Sequence, residues 1–445
     1  MIKLRLFCLL VLLVALLGGC GVASNDDREA KGGPVEQDVN LRYMIWDRNQ
    51  EPAYKQIISK FNEANPRIKV DIQVVPWGSY WEKLMTEIAG GTAPDVFWGY
   101  IPRVPSLADK KALLPITAYI KLDGLDLGRL NASLVKGFQY KGEQYGIPKD
   151  WDALGVFYNK EMLKEAGYNH YPQGLSWNTR DGGTFVEFLQ KLTIDANGKH
   201  PNENGFDPKN IVQFGFNYTD RGEWDPGDLA GFAASNDADI LVDGQFQPQD
   251  RLLDTMQFLH DLIFKYHVSP AFTDVKMQGS DQMFLAKQTA LWITGSWQMI
   301  PVKNKAEFEW GIEPFPTGPN NKRAVRINGL ADHIYAQTKH KEEAWKFVSF
   351  INSQVGQDIL GKTGTVFPMN QASISRFIAY YKDLGVDPSV FIDEFNGDTV
   401  IMPITKNYTE WVQVWFKIMA LIYSGEMDLK TGLGNLVKEG NPIAK

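Results

Sequence analysis

Residues 142–160, GEQYGIPKDWDALGVFYNK, decide how the rest of the chain is read. Lys141 and Gly142 mark a hairpin-like turn. Pro148 has no N–H to give to a ladder, so a central strand is not expected to run through it. Behind it, Leu154 to Tyr158 form an apolar run closed by Asn159 and Lys160, which reads as a buried strand. Asp150 and Asp152, with Trp151 between them, sit at the break just before that strand. Such a break is where a chain can cross from one lobe to another and where a cleft can form.

Upstream, the pattern from Val39 is α/β. A strand is expected over 41–46, ending in Trp46, with Asp47 and Arg48 after it. Tyr54, Ile57, Ile58 and Phe61 recur at helical spacing. Ile68, Val70, Ile72 and Val74 alternate as a half-buried strand. Ser79 can cap a helix through Ala89, stopped by Gly90 and Gly91. A strand over 96–98 follows. This alternation implies a parallel sheet with right-handed crossovers. In such sheets ligands sit beyond the carboxyl ends of the strands. Those ends carry Trp46, Asp47 and Arg48, then Trp77, then Trp98 and Tyr100.

Downstream, Thr184 can cap a helix carrying Phe185, Phe188 and Leu189. Residues 195–207, DANGKHPNENGFD, form a polar loop whose start resembles a calcium loop, except that Lys199 stands where an oxygen ligand belongs. Trp224 lies in a second polar loop. Ala290 to Ile293 read as a strand running into Gly295, Ser296 and Trp297. Pro314, Pro316, Gly318 and Pro319 make a stiff linker. Trp81, Trp292, Trp310 and Trp345 fall on apolar faces or within elements and read as core.

The 445 residues suffice for two domains. A net charge of −7 with no basic run argues against nucleic acid as a partner. The six His are scattered, and no HExxH or CxxC occurs, so nothing supports a zinc site. No cofactor is implied. Aromatics reach 12%, with 13 Trp, enough to line a cleft as well as fill cores.

The N-terminus is basic at Lys3 and Arg5, then apolar from Leu6 to Leu17, too short to span a bilayer as an ordinary helix. It ends in Leu17, Gly18, Gly19 and Cys20, which resembles a bacterial lipobox. The resemblance implies a signal peptide over 1–19 and a lipidated Cys20, with several acyl chains giving stable anchorage. Residues 21–38 read as a flexible tether. Loss of the cations Lys3 and Arg5 would take the net charge from −7 to −9. With Cys8 removed and Cys20 lipidated, no thiol remains for a disulfide or a nucleophile.

Six stretches, in order, resemble a known family: FNEANPRIKVDI, AGGTAPDVFW, YGIPKDWDALGVFYNKEMLKEAG, MFLAKQTALWITGSW, EPFPTGP and NGLADHIYAQTKHKEEAWKFVSFINS. The chain is similar to the extracellular solute-binding proteins of ATP-driven importers, in the sugar-binding group that includes maltose-binding protein. That resemblance implies an α/β fold of two lobes with a ligand cleft between them and several hinge crossings. The first lobe would hold 39–149 plus about 317–355, and the second 150–316 plus about 356–445. It further implies a monomer held by lipid on the extracellular face of the bacterial cytoplasmic membrane, a carbohydrate ligand, and the permease subunits of an ABC importer as partners.

Carried over residue by residue, Trp98 and Trp297 match stacking aromatics, Asp152 an acid that binds sugar hydroxyls, and Asp47 with Arg48 a polar pair. Trp46, Trp77 and Tyr100 fall at the strand ends and Trp224 in its polar loop, all four as candidate cleft aromatics, and either Tyr408 or Trp411 matches a stacking aromatic near the end. After Trp98 the chain reads Gly99 to Arg103, without the acid–base pair of the maltose-binding pattern, so the particular sugar stays open. The rivals are a binding protein for another solute (a peptide, a polyamine or a metal chelate) and a carbohydrate-active enzyme. Against the enzyme, Asp150 and Asp152 would lie on one face of one segment, whereas glycosidase carboxylates flank the bond from opposite sides.

Overall fold

In the computed structural model, residues 38–219 and 224–445 are described. The expectations for the signal, Cys20 and nearly all of the tether lie outside the described residues. The hydrophobic periods from Val39 onward produce β1 (Val39–Ile45), α1 (Glu51–Ala64), β2 (Ile68–Val74), α2 (Trp77–Ala89) and β3 (Val96–Tyr100). β1 pairs in parallel with both β2 and β3. The α1 stripe Tyr54, Ile57, Ile58 and Phe61 is buried. The turn at Lys141 and Gly142 joins two short antiparallel strands, with both residues at positive φ.

β4 (Pro148–Asn159) corrects the reading of the central stretch. The strand runs through Asp150, Trp151 and Asp152, and no break precedes its apolar half. Pro148 is tolerated because it is the first residue of the strand, where a missing donor costs least. The remaining strands of the main sheet are β5 (Ile194–Asp195), β6 (Ile211–Asn217), β7 (Thr289–Gly295), β8 (Trp310–Glu313), β9 (Ala324–Ile334), β10 (Phe367–Pro368) and β11 (Asp398–Ile401).

β4 changes partners midway. Its first half lies between β9 and β10, both antiparallel to it. Its second half lies between β7 and β8, again antiparallel. β9 continues to β3, and β7 continues in parallel to β6. The path β2-β1-β3-β9-β4-β7-β6-β5 is therefore one mixed sheet in which β4 joins two smaller sheets end to end. Parallel strands on both sides aim their carboxyl ends at the region around the middle of β4.

Three expectations for local elements change. Ser79 does not cap α2: the helix starts at Trp77 behind Pro76, and the Ser79 hydroxyl donates to the Pro76 carbonyl at 3.2 Å. Thr184 lies inside α3 (Gly183–Leu192), which is preceded by Gly182 at φ 88°. Trp81 is half-buried, whereas Trp292, Trp310 and Trp345 are core as expected. The Asp195 carboxylate accepts the backbone N–H groups of Asn197, Lys199 and Asp207, so its lone pairs serve the loop itself. α4 (Pro226–Ser235) packs on β9. α5 (Gln354–Lys362) packs on α1, and α6 (Tyr408–Tyr423) pairs with α7 (Leu429–Ala444).

Candidate ligand-binding site

β4 and β9 form the floor of a cavity of about 500 Å³. The register sets Asp152 opposite Asn328 and Asp150 opposite Leu330, so these four share one face of the sheet. Arg326, two residues before Asn328, shares that face. Its Nη1 donates to Asp152 Oδ1 at 2.6 Å, and Asn328 Nδ2 donates to Asp152 Oδ2 at 3.3 Å. Asp150 Oδ1 accepts the Leu330 N–H at 3.1 Å. Trp151 alternates to the other face and stacks on Phe367 at 4.2 Å.

One wall is aromatic. Trp46 follows β1, Trp77 opens α2 and Tyr100 ends β3; all three line the cavity, with Asp47, Asn49 and Gln50 beside them. Trp46 is held edge-on by Trp77 at 5.2 Å, Tyr80 at 5.0 Å and Trp98 at 5.0 Å. Edge-to-face packing of this kind fixes ring orientation. The Asp47 carboxylate accepts the Asn49 N–H and both the Asn49 and Gln50 side-chain amides, which ties down the turn into α1.

The opposite wall comes from the other half of the sheet. Ser296, Trp297 and Gln298 follow β7; Asp225 and Asp228 stand at the start of α4; Gly279, Ser280 and Asp281 form a helix junction. The Arg326 guanidinium lies 5.3 Å from the Trp297 ring centroid, a cation–π contact between floor and wall.

Among the described residues, five buried polar atoms of lining residues have no hydrogen-bond partner: Gln50 Oε1, Asp150 Oδ2, Asn328 Oδ1, Trp297 Nε1 and Arg326 Nε. Unpaired buried polar atoms cost about 1–3 kcal/mol each, and a ligand that pairs with them recovers that. Burial pushes the Asp150 carboxyl up to about 7, against the pull of the neighbouring Lys149.

Beneath the aromatic wall lies a second polar group. Lys149 is fully buried, 3.2 Å from Asp332 Oδ1, with its ammonium 3.9 Å from the Trp98 ring. Tyr43 donates to Asp332 at 2.7 Å, and Trp98 Nε1 donates to the Tyr43 hydroxyl at 2.6 Å. Burial lowers the Lys149 pKa, and the Asp332 and Asp150 charges oppose that shift.

Of the site residues named from the sequence, Trp46, Asp47, Trp77, Tyr100, Asp152 and Trp297 meet at this cavity. Four do not line it. Trp98 sits mid-strand rather than at a strand end, and its ring is fully buried by Tyr54, Trp46 and Lys149. Arg48 points to solvent, 77% exposed, 3.8 Å from Glu51. Trp224 stacks on Tyr423 at 3.8 Å, and its carbonyl accepts the Trp415 indole N–H. Trp411 is buried where α6 meets α7. Tyr408, the alternative to Trp411, is also fully buried but stands edge-on to Tyr100 at 6.3 Å.

Sequence reasoning missed Asp225, Asp228, Ser280, Arg326 and Asn328 as lining residues. Only Asp225 carried a usable signal: Asp before Pro at a helix start is an N-cap pattern, and its carboxylate accepts the Gly227 N–H.

Comparison with known proteins agrees with this architecture. The family model for "bacterial extracellular solute-binding protein" matches residues 47–358. A maltooligosaccharide ABC transporter solute-binding lipoprotein of Streptococcus pneumoniae is 25% identical over 434 residues, 95% of this chain and 92% of that protein. UspC of M. tuberculosis has a similar structure, with a TM-score of 0.71 and 27% identity, over 91% of this chain and 100% of that one. A substrate-binding protein of Listeria monocytogenes solved with cycloalternan superposes with a TM-score of 0.77 at 21% identity, over 91% and 99% of the two chains. With its matched region, two-part sheet and intervening cavity, the chain belongs to the bacterial extracellular solute-binding proteins.

Proposed function

We propose that this solute-binding protein is a carbohydrate receptor that delivers an oligosaccharide to an ABC importer. One observation carries the reading: aromatic faces on two walls of one cavity enclose a floor of carboxylate, amide and guanidinium groups with unpaired polar atoms. A sugar offers apolar C–H faces to rings and a rim of hydroxyls to such a floor. A volume of about 500 Å³ suits more than one pyranose ring.

The mechanism is capture by closure. The lobes are 39–149 with about 317–355, and 150–316 with the remainder to 445. They hinge about the crossing segments, of which β4, spanning the 149/150 boundary, is one. Trp46, Trp77 and Tyr100 belong to the first lobe and Trp297, Asp225 and Asp228 to the second. A ligand touching both sets binds the closed form better, and that difference drives closure. No bond of the ligand is broken. Asp150 and Asp152 lie on one face of one strand and cannot flank a glycosidic bond. Cys20 anchors the monomer by lipid to the extracellular face of the cytoplasmic membrane.

A thermal-shift screen of oligosaccharides against peptides and polyamines tests the ligand class, because a ligand of the folded state raises the melting temperature. A rise with an oligosaccharide is expected. A rise with another class and none with any carbohydrate would overturn the proposal.

A further inference from the structure

The described lining of the cavity is predominantly acidic. It holds six acidic side chains, Asp47, Asp150, Asp152, Asp225, Asp228 and Asp281, against two cations, Lys305 and Arg326. Both cations sit at its edge or floor, and Arg326 is already engaged with Asp152 and the Trp297 ring.

A second, independent observation concerns Asp150. The residue is 2% exposed, and Oδ1 is taken by the Leu330 N–H while Oδ2 has no partner among the described residues. Nearby on the same face, Asn328 spends its Nδ2 on Asp152, which leaves Oδ1 as an unpaired acceptor. Two buried acceptors at diagonal positions on one face of the β4–β9 ladder suit a group with several N–H donors. A hydroxyl donates once; a protonated amine donates up to three times and carries the charge that the carboxylates lack. The aromatic wall suits the same group, because a cation beside ring faces is attracted to them.

We propose that the preferred ligand is an amino sugar, an oligosaccharide bearing a protonated amine, with the amine seated between Asp150 Oδ2 and Asn328 Oδ1. This rests on the carbohydrate reading above and narrows it.

Calorimetric titration with glucosamine disaccharides and trisaccharides, their N-acetylated forms, and cellobiose of matched length tests the assignment. The free amine should bind at least about tenfold more tightly than either neutral ligand, a difference of about 1.4 kcal/mol. Raising salt from about 20 to about 200 mM should narrow that gap, since screening weakens charge attraction. Asp150→Asn keeps the acceptor for the Leu330 N–H and should reduce affinity for the amine more than for cellobiose. The salt series uses the unaltered protein and so decides the matter even if the variant fails to fold.

Neutral oligosaccharides binding as tightly as the amine would overturn the amino-sugar assignment and leave the carbohydrate reading standing. Binding of spermidine with no binding of any saccharide would overturn both.

Discussion

Arg326 donates to Asp152 at 2.6 Å across the β4–β9 ladder, and both side chains are largely buried. The same guanidinium reaches the Trp297 ring from the opposite wall. Arg326 thus orients the acid on the floor and the aromatic on the wall at once.

Arg326→Met should therefore harm both fold and site. Removing one partner of a mostly buried pair leaves Asp152 uncompensated, at a cost of about 3 kcal/mol. Lysine cannot reproduce the fork geometry, so Arg326→Lys should recover part of the stability and little of the affinity. Urea denaturation with ligand titration separates the two effects.

Trp98 and Trp297 should respond oppositely. Trp98→Ala removes a fully buried ring together with its bond to Tyr43, and should lower stability by about 3–5 kcal/mol. Trp297→Ala removes a half-buried ring at the cavity, and should cost at least about tenfold in affinity and little in melting temperature. The reverse pattern would mean that the lining has been assigned to the wrong indole.

Gly295 is a steric determinant of the Trp297 pose. A Cβ at this position would overlap the Trp297 ring, which folds back over the end of β7. Gly295→Ala should swing the indole out of place and reproduce the binding loss of Trp297→Ala, with the ring still present. A shifted tryptophan emission in the ligand-free variant would report the displacement.

Two buried acids set a pH dependence. Burial pushes Asp150 up to about 7 and Glu394 up to about 7, the latter opposed by Arg323. For an acid with a raised folded-state pKa, the unfolded chain binds fewer protons between the two pKa values. Stability from these groups therefore falls as pH rises from about 4 to about 7, then levels off. Asp150→Asn and Glu394→Gln together should flatten the melting temperature across that window, measured between pH 5 and pH 8. Acids held low by hydrogen bonds, such as Asp109 and Asp237, act in the opposite sense and below that window.

Much of the architecture was legible because local periods differ. Alternation in 68–74 and helical spacing in 54–61 mark β2 and α1 without tertiary information. Trp98 misled because β3 is buried on both faces, so nothing in its pattern shows that the strand continues to Tyr100. The Lys149–Asp332 pair joins residues 183 apart, and a lysine in the middle of a sequence gives no sign that it will be fully buried. Arg326 and Asn328 reach the floor only through the β4–β9 register, which depends on long-range pairing. Conversely, Trp46, Trp77, Asp152 and Trp297 were found because ends of parallel strands and the crossing strand itself are where such folds put ligands.

The proposed binding mode places an oligosaccharide between Trp46 and Trp77 on one wall and Trp297 on the other. Its most direct test is calorimetric titration of the unaltered protein and of Trp297→Ala with the oligosaccharide giving the largest thermal shift. One-site binding by the unaltered protein, weakened at least about tenfold in the variant, is the predicted result. Equal affinity in both proteins, or no oligosaccharide that binds either, would contradict it.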